Sequence, residues 1–216
     1  MSNDHSIPVK KRAMCNQCER PLRNCLCSMV RPVDNQIETL ILRDKTEATN
    51  AKNTAGLLHL SLKNSRLFHC DADKAIPQSV LMELLYGDHK LPLLLYPPTP
   101  DLNSLGLEQP PAPPPSGQIP ASDLRLVIID ATWRKSRKML YLNPHLQRLA
   151  RITLEKIPTS LYLIRKADAK NQLSTLEASC YALQQLEQGQ VSYTPLLTAM
   201  QEFVARQIAF RPAPSD

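Results

Sequence analysis

Residues 124–139 read LRLVIIDATWRKSRKM. The segment LRLVIID (124–130) is apolar at odd and even positions alike, the pattern of a strand covered on both faces in the middle of a parallel sheet. Its last residue is Asp130, and open α/β sheets bind ligands at the carboxyl ends of their strands. That makes Asp130 a candidate functional carboxylate. A simple helix N-cap is the competing use of the same residue. Next come Thr132, the single tryptophan Trp133, and four cations, Arg134, Lys135, Arg137 and Lys138. On a helix starting here, Trp133, Ser136 and Leu140 share a face, and Arg134, Arg137, Lys138 and Tyr141 point mostly away from it. The block reads as a cationic ridge beside a strand-end carboxylate, with solvated surface charge as the plainer alternative.

Outward from this stretch, strand and helix patterns alternate. Toward the N-terminus, QIETLILR (36–43) reads as a strand and residues 49–63 as a helix with Ala51, Ala55, Leu58 and Leu62 on one face. NSRLFHC is a second strand, PQSVLMELLYG a helix opened by proline, and LPLLLYP a third strand stopped at Pro97. Residues 97–120 hold nine of the nineteen prolines and no apolar period, so they read as an extended or disordered insert without a part in the core. Toward the C-terminus, ARITL (150–154) and SLYLIRK (160–166) are strands. Ser174 and Glu177 have the spacing of a capping box at the start of an amphipathic helix. The cap accounts for both residues; a loop ending at a helix N-terminus also suits a ligand carboxylate or phosphate. A last helix from Thr194-Pro195 is expected to bury Leu197, Met200, Val204 and Ile208. The βαβα order argues for an α/β domain with a mostly parallel sheet.

Four cysteines, Cys15, Cys18, Cys25 and Cys27, form C-x2-C-x6-C-x-C within thirteen residues. Thiolates this close can enclose a zinc ion tetrahedrally, and four sulfurs leave no open coordination position, so the metal is expected to be structural. The polar spacer could not fold by apolar burial, and metal binding would supply that energy. Reduced, unliganded thiols are the alternative. Cys70 and Cys180 read as small core residues. The chain has 216 residues, 43% hydrophobic and 21% charged, with no apolar stretch of membrane-spanning or signal-peptide length, which places it in the cytoplasm. Its net charge of +6 favours a polyanionic partner weakly. The clusters say more: Lys10 to Arg12, the ridge after Trp133, and Arg165, Lys166 and Lys170.

Taken together, C-x2-C-E-R-P-x3-C-x-C, D-A-T-W with R-K-S-R-K-M, I-R-K at Ile164 to Lys166, and L-S-T-L-E-A from Leu173 resemble the DTW-domain family, tRNA-uridine aminocarboxypropyltransferases. The resemblance runs from Cys15 to about Phe203 and leaves the proline insert unmatched. Ala131 stands where the family usually has glycine, and Asp44-Lys45 where it often has His-Pro ahead of the glutamate matching Glu47.

The resemblance implies a SPOUT-like α/β fold with a C-terminal trefoil knot, as residues 36–216, behind a zinc-binding element of residues 1–35. It also implies S-adenosylmethionine as co-substrate, held by Leu95, Tyr96 and Pro97, by Asp130, Thr132 and Trp133, and by Leu173, Ser174, Thr175 and Glu177. The expected reaction moves the 3-amino-3-carboxypropyl group to uridine N3 in tRNA. Asp130 is the candidate general base, and Trp133 a flat surface for adenine, uracil or sulfonium. Arg134, Lys135, Arg137 and Lys138, with Arg165 and Lys166, are expected on RNA phosphates. Two rivals remain: a SPOUT-type RNA methyltransferase and a non-enzymatic RNA-binding protein.

Overall fold

The computed structural model describes residues 13–99, 102, 106–115, 117–155 and 173–209. Five strands, β1 (Glu38–Asp44), β2 (Ser65–Cys70), β3 (Leu91–Leu95), β4 (Leu124–Asp130) and β5 (Ala150–Ile152), form one sheet in the order β2-β1-β4-β3-β5. Every pairing is parallel. The central pair β1 and β4 is buried along almost its whole length, which is why both read as continuous apolar runs.

Because strand side chains alternate, the same two strands supply two cores. Ile41, Leu126, Ile128 and Leu93 face one layer, built on α2 (Ala55–Ser61), α6 (Thr175–Leu186) and α7 (Thr194–Ala209). Leu40, Leu42, Val127 and Leu94 face the other, built on α3 (Gln78–Tyr86), α4 (Trp133–Leu142) and α5 (Pro144–Gln147). Helix α3 follows Pro77 directly, as its opening proline predicts.

Four expectations change. The helix read over 49–63 is confined to α2, with a separate single turn α1 (Lys45–Ala48) before it. Ala51 is exposed, because the polar run from Asn50 to Thr54 forms a loop. In α7, Leu196, Met200, Phe203 and Val204 are buried, while Leu197 is half-buried and Ile208 lies 45% exposed near the helix end. The proline insert does reach the core: Leu102 and Leu107 are buried among the residues beneath α4 and α5. Glu108 adds a bidentate ion pair to Arg148 on the surface. The expected strand over 160–166, with Arg165 and Lys166, lies outside the described residues, as do Lys170 and Lys10 to Arg12.

The cysteine segment is not a detached arm. Leu26 and Met29 are buried in the same core as α2, α6 and α7, and Arg206 of α7 donates to the carbonyls of Cys25 and Arg23.

Candidate active site and metal centre

Asp130 ends β4 with 3% of its surface exposed, and it does not cap a helix. Thr132 is the N-cap of α4, its hydroxyl accepting from the Lys135 N–H. Instead, Asp130 Oδ2 accepts from Asn53 Nδ2 at 2.6 Å and Oδ1 from the Thr175 hydroxyl at 2.8 Å. Burial pushes the carboxyl pKa up; the Asn53 and Thr175 hydrogen bonds pull against that, Glu47 adds to it, and Arg43 opposes it. Arg43 is the register partner of Asp130 on β1, is itself buried, and contacts His69 at 3.2 Å.

Beside this carboxylate, a cleft of about 430 Å³ opens at the carboxyl ends of β3, β4 and β5. Leu95, Tyr96, Pro97 and Pro98 form one wall; Ile128, Ile129, Ala131, Trp133 and Ser136 form the second. The third comes from Ile152, Thr153 and Leu154, and the fourth from Leu173, Ser174, Thr175 and Ala178 at the start of α6. The volume and the largely apolar lining suit a nucleoside-sized ligand. A smaller polar pocket, lined by Asn50, Lys52, Asn53, Thr54 and Asp130, shares Ala131, Ser174 and Thr175 with it. Asp130 thus lines a pocket that adjoins the cleft at Ala131, Ser174 and Thr175.

Trp133 is 51% exposed at the cleft and meets Tyr96 edge-on, with ring centroids 6.0 Å apart. The Tyr96 hydroxyl and Ser136 Oγ lie 3.1 Å apart and hold that corner together. An exposed indole on an apolar cleft is a stacking surface that protein contacts leave open.

Of the ten residues expected on the cofactor, Leu95, Tyr96, Pro97, Trp133, Leu173, Ser174 and Thr175 line the cleft, and Asp130 lines the neighbouring pocket. Thr132 and Glu177 do neither. Glu177 is fully buried and closes a reciprocal capping box with Ser174. That box takes the Glu177 N–H, and Thr54 Oγ1 takes the Leu176 N–H, so the start of α6 keeps little donor capacity for an anion.

The cations after Trp133 divide. Lys135 is tied down by buried Asp44, 2.5 Å away, and by Thr46. Lys138 makes an exposed pair with Asp73. Arg134 and Arg137 are exposed and form no ion pair among the described residues. Of the four cations expected on RNA phosphates, Lys135 and Lys138 thus have carboxylate partners within the protein.

Sequence reasoning missed Asn53, Thr54 and Arg43. Reading 49–63 as one helix hid the loop that carries the first two; the polar run K-N-T ahead of A-G-L-L was the available signal for a helix start. Arg43 looked like one more residue in a strand.

The sulfurs of Cys15, Cys18, Cys25 and Cys27 all lie within 4.8 Å of one another. Cys15 and Cys27 are 3.6 Å apart, Cys18 and Cys25 3.7 Å. Zinc–sulfur bonds of about 2.3 Å in a tetrahedron require edges of about 3.8 Å, so the set fits zinc. The backbone N–H groups of Cys18 and Gln17 point at the Cys15 sulfur and lower its pKa to about 6. Burial raises that of Cys27 to about 12, a proton that a bound metal would displace.

The DTW domain family matches residues 12–208, which takes in the cleft, the carboxylate and the cysteines. The chain belongs to the DTW domain family. Among curated DTW relatives, it is 29% identical over 191 residues to "tRNA-uridine aminocarboxypropyltransferase 2" of Drosophila melanogaster, covering 83% of this chain and 69% of that one. It is 26% identical over 212 residues to the protein of the same name from Macaca fascicularis, covering 93% and 65%. With "tRNA-uridine aminocarboxypropyltransferase A" of Arabidopsis thaliana the identity is 28% over 143 residues, covering 60% and 51%. The chain spans about two thirds of the animal relatives and half of the plant one. No solved structure matches it.

Proposed function

We propose that this DTW-domain protein transfers the 3-amino-3-carboxypropyl group of S-adenosylmethionine to N3 of a uridine in tRNA. One observation carries the reading: an apolar cleft with an exposed tryptophan adjoins a buried strand-end carboxylate, in a chain whose relatives bear the name of that activity. In the reaction, the bond between sulfur and the γ-carbon breaks as N3 bonds to that carbon; methylthioadenosine leaves, and the N3 proton must go to a base.

Asp130 is that base. Its raised pKa brings it nearer the working pH of a general base, and Asn53 and Thr175 fix its direction. The cleft walls at Leu95 to Pro97, Trp133 and Leu173 to Thr175 hold the cofactor, with Trp133 against the sulfonium or a base. Arg134 and Arg137 take RNA phosphates. Arg165 and Lys166 extend this role to the third basic group. Cys15, Cys18, Cys25 and Cys27 hold one structural zinc, whose contribution is folding energy.

In this reading the fold is SPOUT-like, with a C-terminal trefoil knot. Its support is that Leu95, Ile152 and Leu173, far apart in sequence, face one cleft. A crystal structure traced without a break from β5 to α6 tests it.

The decisive assay incubates protein, unmodified tRNA and cofactor, then analyses nucleosides by mass spectrometry. Methylthioadenosine in equal amount to 3-(3-amino-3-carboxypropyl)uridine supports the proposal. S-adenosylhomocysteine with a methylated nucleoside would make the protein a methyltransferase, and absence of cofactor binding by calorimetry would make it a binding protein.

A further inference from the structure

The cysteine element reaches the buried carboxylate through one side chain. Arg20 lies between Cys18 and Cys25 in the sequence and is 7% exposed. Its Nη2 donates to the Asn53 carbonyl at 2.6 Å and, more weakly, to that of Asn50 at 3.5 Å; its Nη1 donates to Ala51 at 3.0 Å. The guanidinium also lies 5.8 Å from the centre of the Phe203 ring on α7. Three carbonyls of the 50–53 loop are thus gathered on one planar fork, which is the geometry that arginine offers and lysine does not.

The loop passes this constraint on. Asn53 Oδ1 accepts from the Ala55 N–H at 3.1 Å, which turns its amide so that Nδ2 meets Asp130 Oδ2 at 2.6 Å. Around Asp130 the other groups are the Thr175 hydroxyl, Arg43 and Glu47. Of the two hydrogen bonds that Asp130 accepts among the described residues, that from Asn53 hangs on a loop and that from Thr175 on the start of α6.

We propose that Arg20 is a positioning residue: by clamping the 50–53 loop it holds the Asn53 amide against Asp130, so that the metal element sets the aim of the reactive carboxylate. This rests on Asp130 being the base, and it gives the cysteine element a part in the chemical step beyond folding. The coupling is a series of contacts, Arg20 to the Asn53 carbonyl and the Asn53 amide to Asp130. Removing either link therefore has the same consequence, and removing both adds nothing further.

The test compares Arg20→Met, Asn53→Ala and the double variant, each confirmed to hold one zinc per chain and to melt cooperatively. Carboxyl ¹³C NMR follows the titration of Asp130 directly, and single-turnover rates at saturating tRNA and cofactor follow the chemistry. In Arg20→Met the Asp130 titration moves further up, as in Asn53→Ala, and the rate falls about tenfold or more. The double variant matches Asn53→Ala alone, and Arg20→Lys recovers only part of the loss. An unmoved Asp130 titration in Arg20→Met, or strictly additive losses in the double variant, overturns the proposal. If the titration moves as stated while the rates do not follow it, the positioning stands and the assignment of Asp130 as base falls. If Arg20→Met cannot hold zinc, Asn50→Gly/Ala51→Gly, which loosens the same loop from the other side, is read by the same NMR titration with the same expected direction, and an unmoved signal there likewise overturns it.

Discussion

Among the described residues, Asp130 receives one hydrogen bond on each oxygen, and a carboxylate oxygen can accept more than one. An asparagine there keeps the shape but cannot take a proton. Asp130→Asn should lower turnover by about 10²-fold or more, with cofactor and tRNA affinities little changed, as single-turnover kinetics and calorimetry would record. Stability should move the opposite way. A carboxyl whose pKa is raised by folding costs stability once pH exceeds its unfolded value, and Asp130 is such a group. The asparagine variant should therefore melt higher than the parent at neutral pH, with the gap closing as pH falls toward about 4 and absent below it. Asp44 behaves in reverse. Burial raises its pKa, but the hydrogen bonds from Lys135, Thr46 and the Ala72 N–H win and lower it to about 2. Its contribution is complete above about pH 4 and is lost as pH falls through 2. Lys135→Met should destabilise the protein at pH 7 by on the order of 2 kcal/mol, and thermal melts of parent and variant should converge between pH 4 and 2.

Helix α4 joins cleft and ridge because Trp133 and Ser136 look inward at one end while Arg134 and Arg137 look out. Arg134→Ala/Arg137→Ala should weaken tRNA binding and flatten its dependence on salt, each lost phosphate contact removing about one released counterion. Rates at saturating tRNA should stay near those of the parent. A fall in those rates at saturation would move these arginines into the site. The pattern of α4 was legible because its buried positions, Ser136, Met139 and Leu140, keep helical spacing. Strand β4 was legible because a short run apolar on both faces belongs in the middle of a covered parallel sheet. Two elements were not. The 49–63 stretch contains enough alanine and leucine to mimic one helix, and only the tertiary hydrogen bonds of Asn53 and Thr54 show why the chain stops to make a loop. In the insert, Leu102 and Leu107 carry no period; they are core residues because of where α4 and α5 lie. Leu102→Ala/Leu107→Ala should cost at least about 2 kcal/mol in denaturant unfolding, whereas a fully detached insert would show no change.

Across the whole molecule, the parts of the site lie far apart in the chain. The cleft needs residues near 95, 131, 152 and 174, and the carboxylate needs Asn53 as well. Such a site is assigned from sequence by its motifs, since no local pattern predicts that a polar loop before α2 will meet the start of α6. The metal belongs to this scale too. Purified without chelator, the protein should hold one zinc per chain; its removal should lower the melting temperature of the whole domain, because Leu26 and Met29 share the main core. A melting temperature that ignores zinc would count against that. The docking of the cysteine segment also fixes an order of events in synthesis. Its carbonyls at Arg23 and Cys25 are held by Arg206, and Arg31 pairs with Glu202, both on the last helix. The first piece of this structure to leave the ribosome has its seat on the last piece, so a nascent chain can gather its zinc early but cannot dock the cysteine segment until α7 emerges.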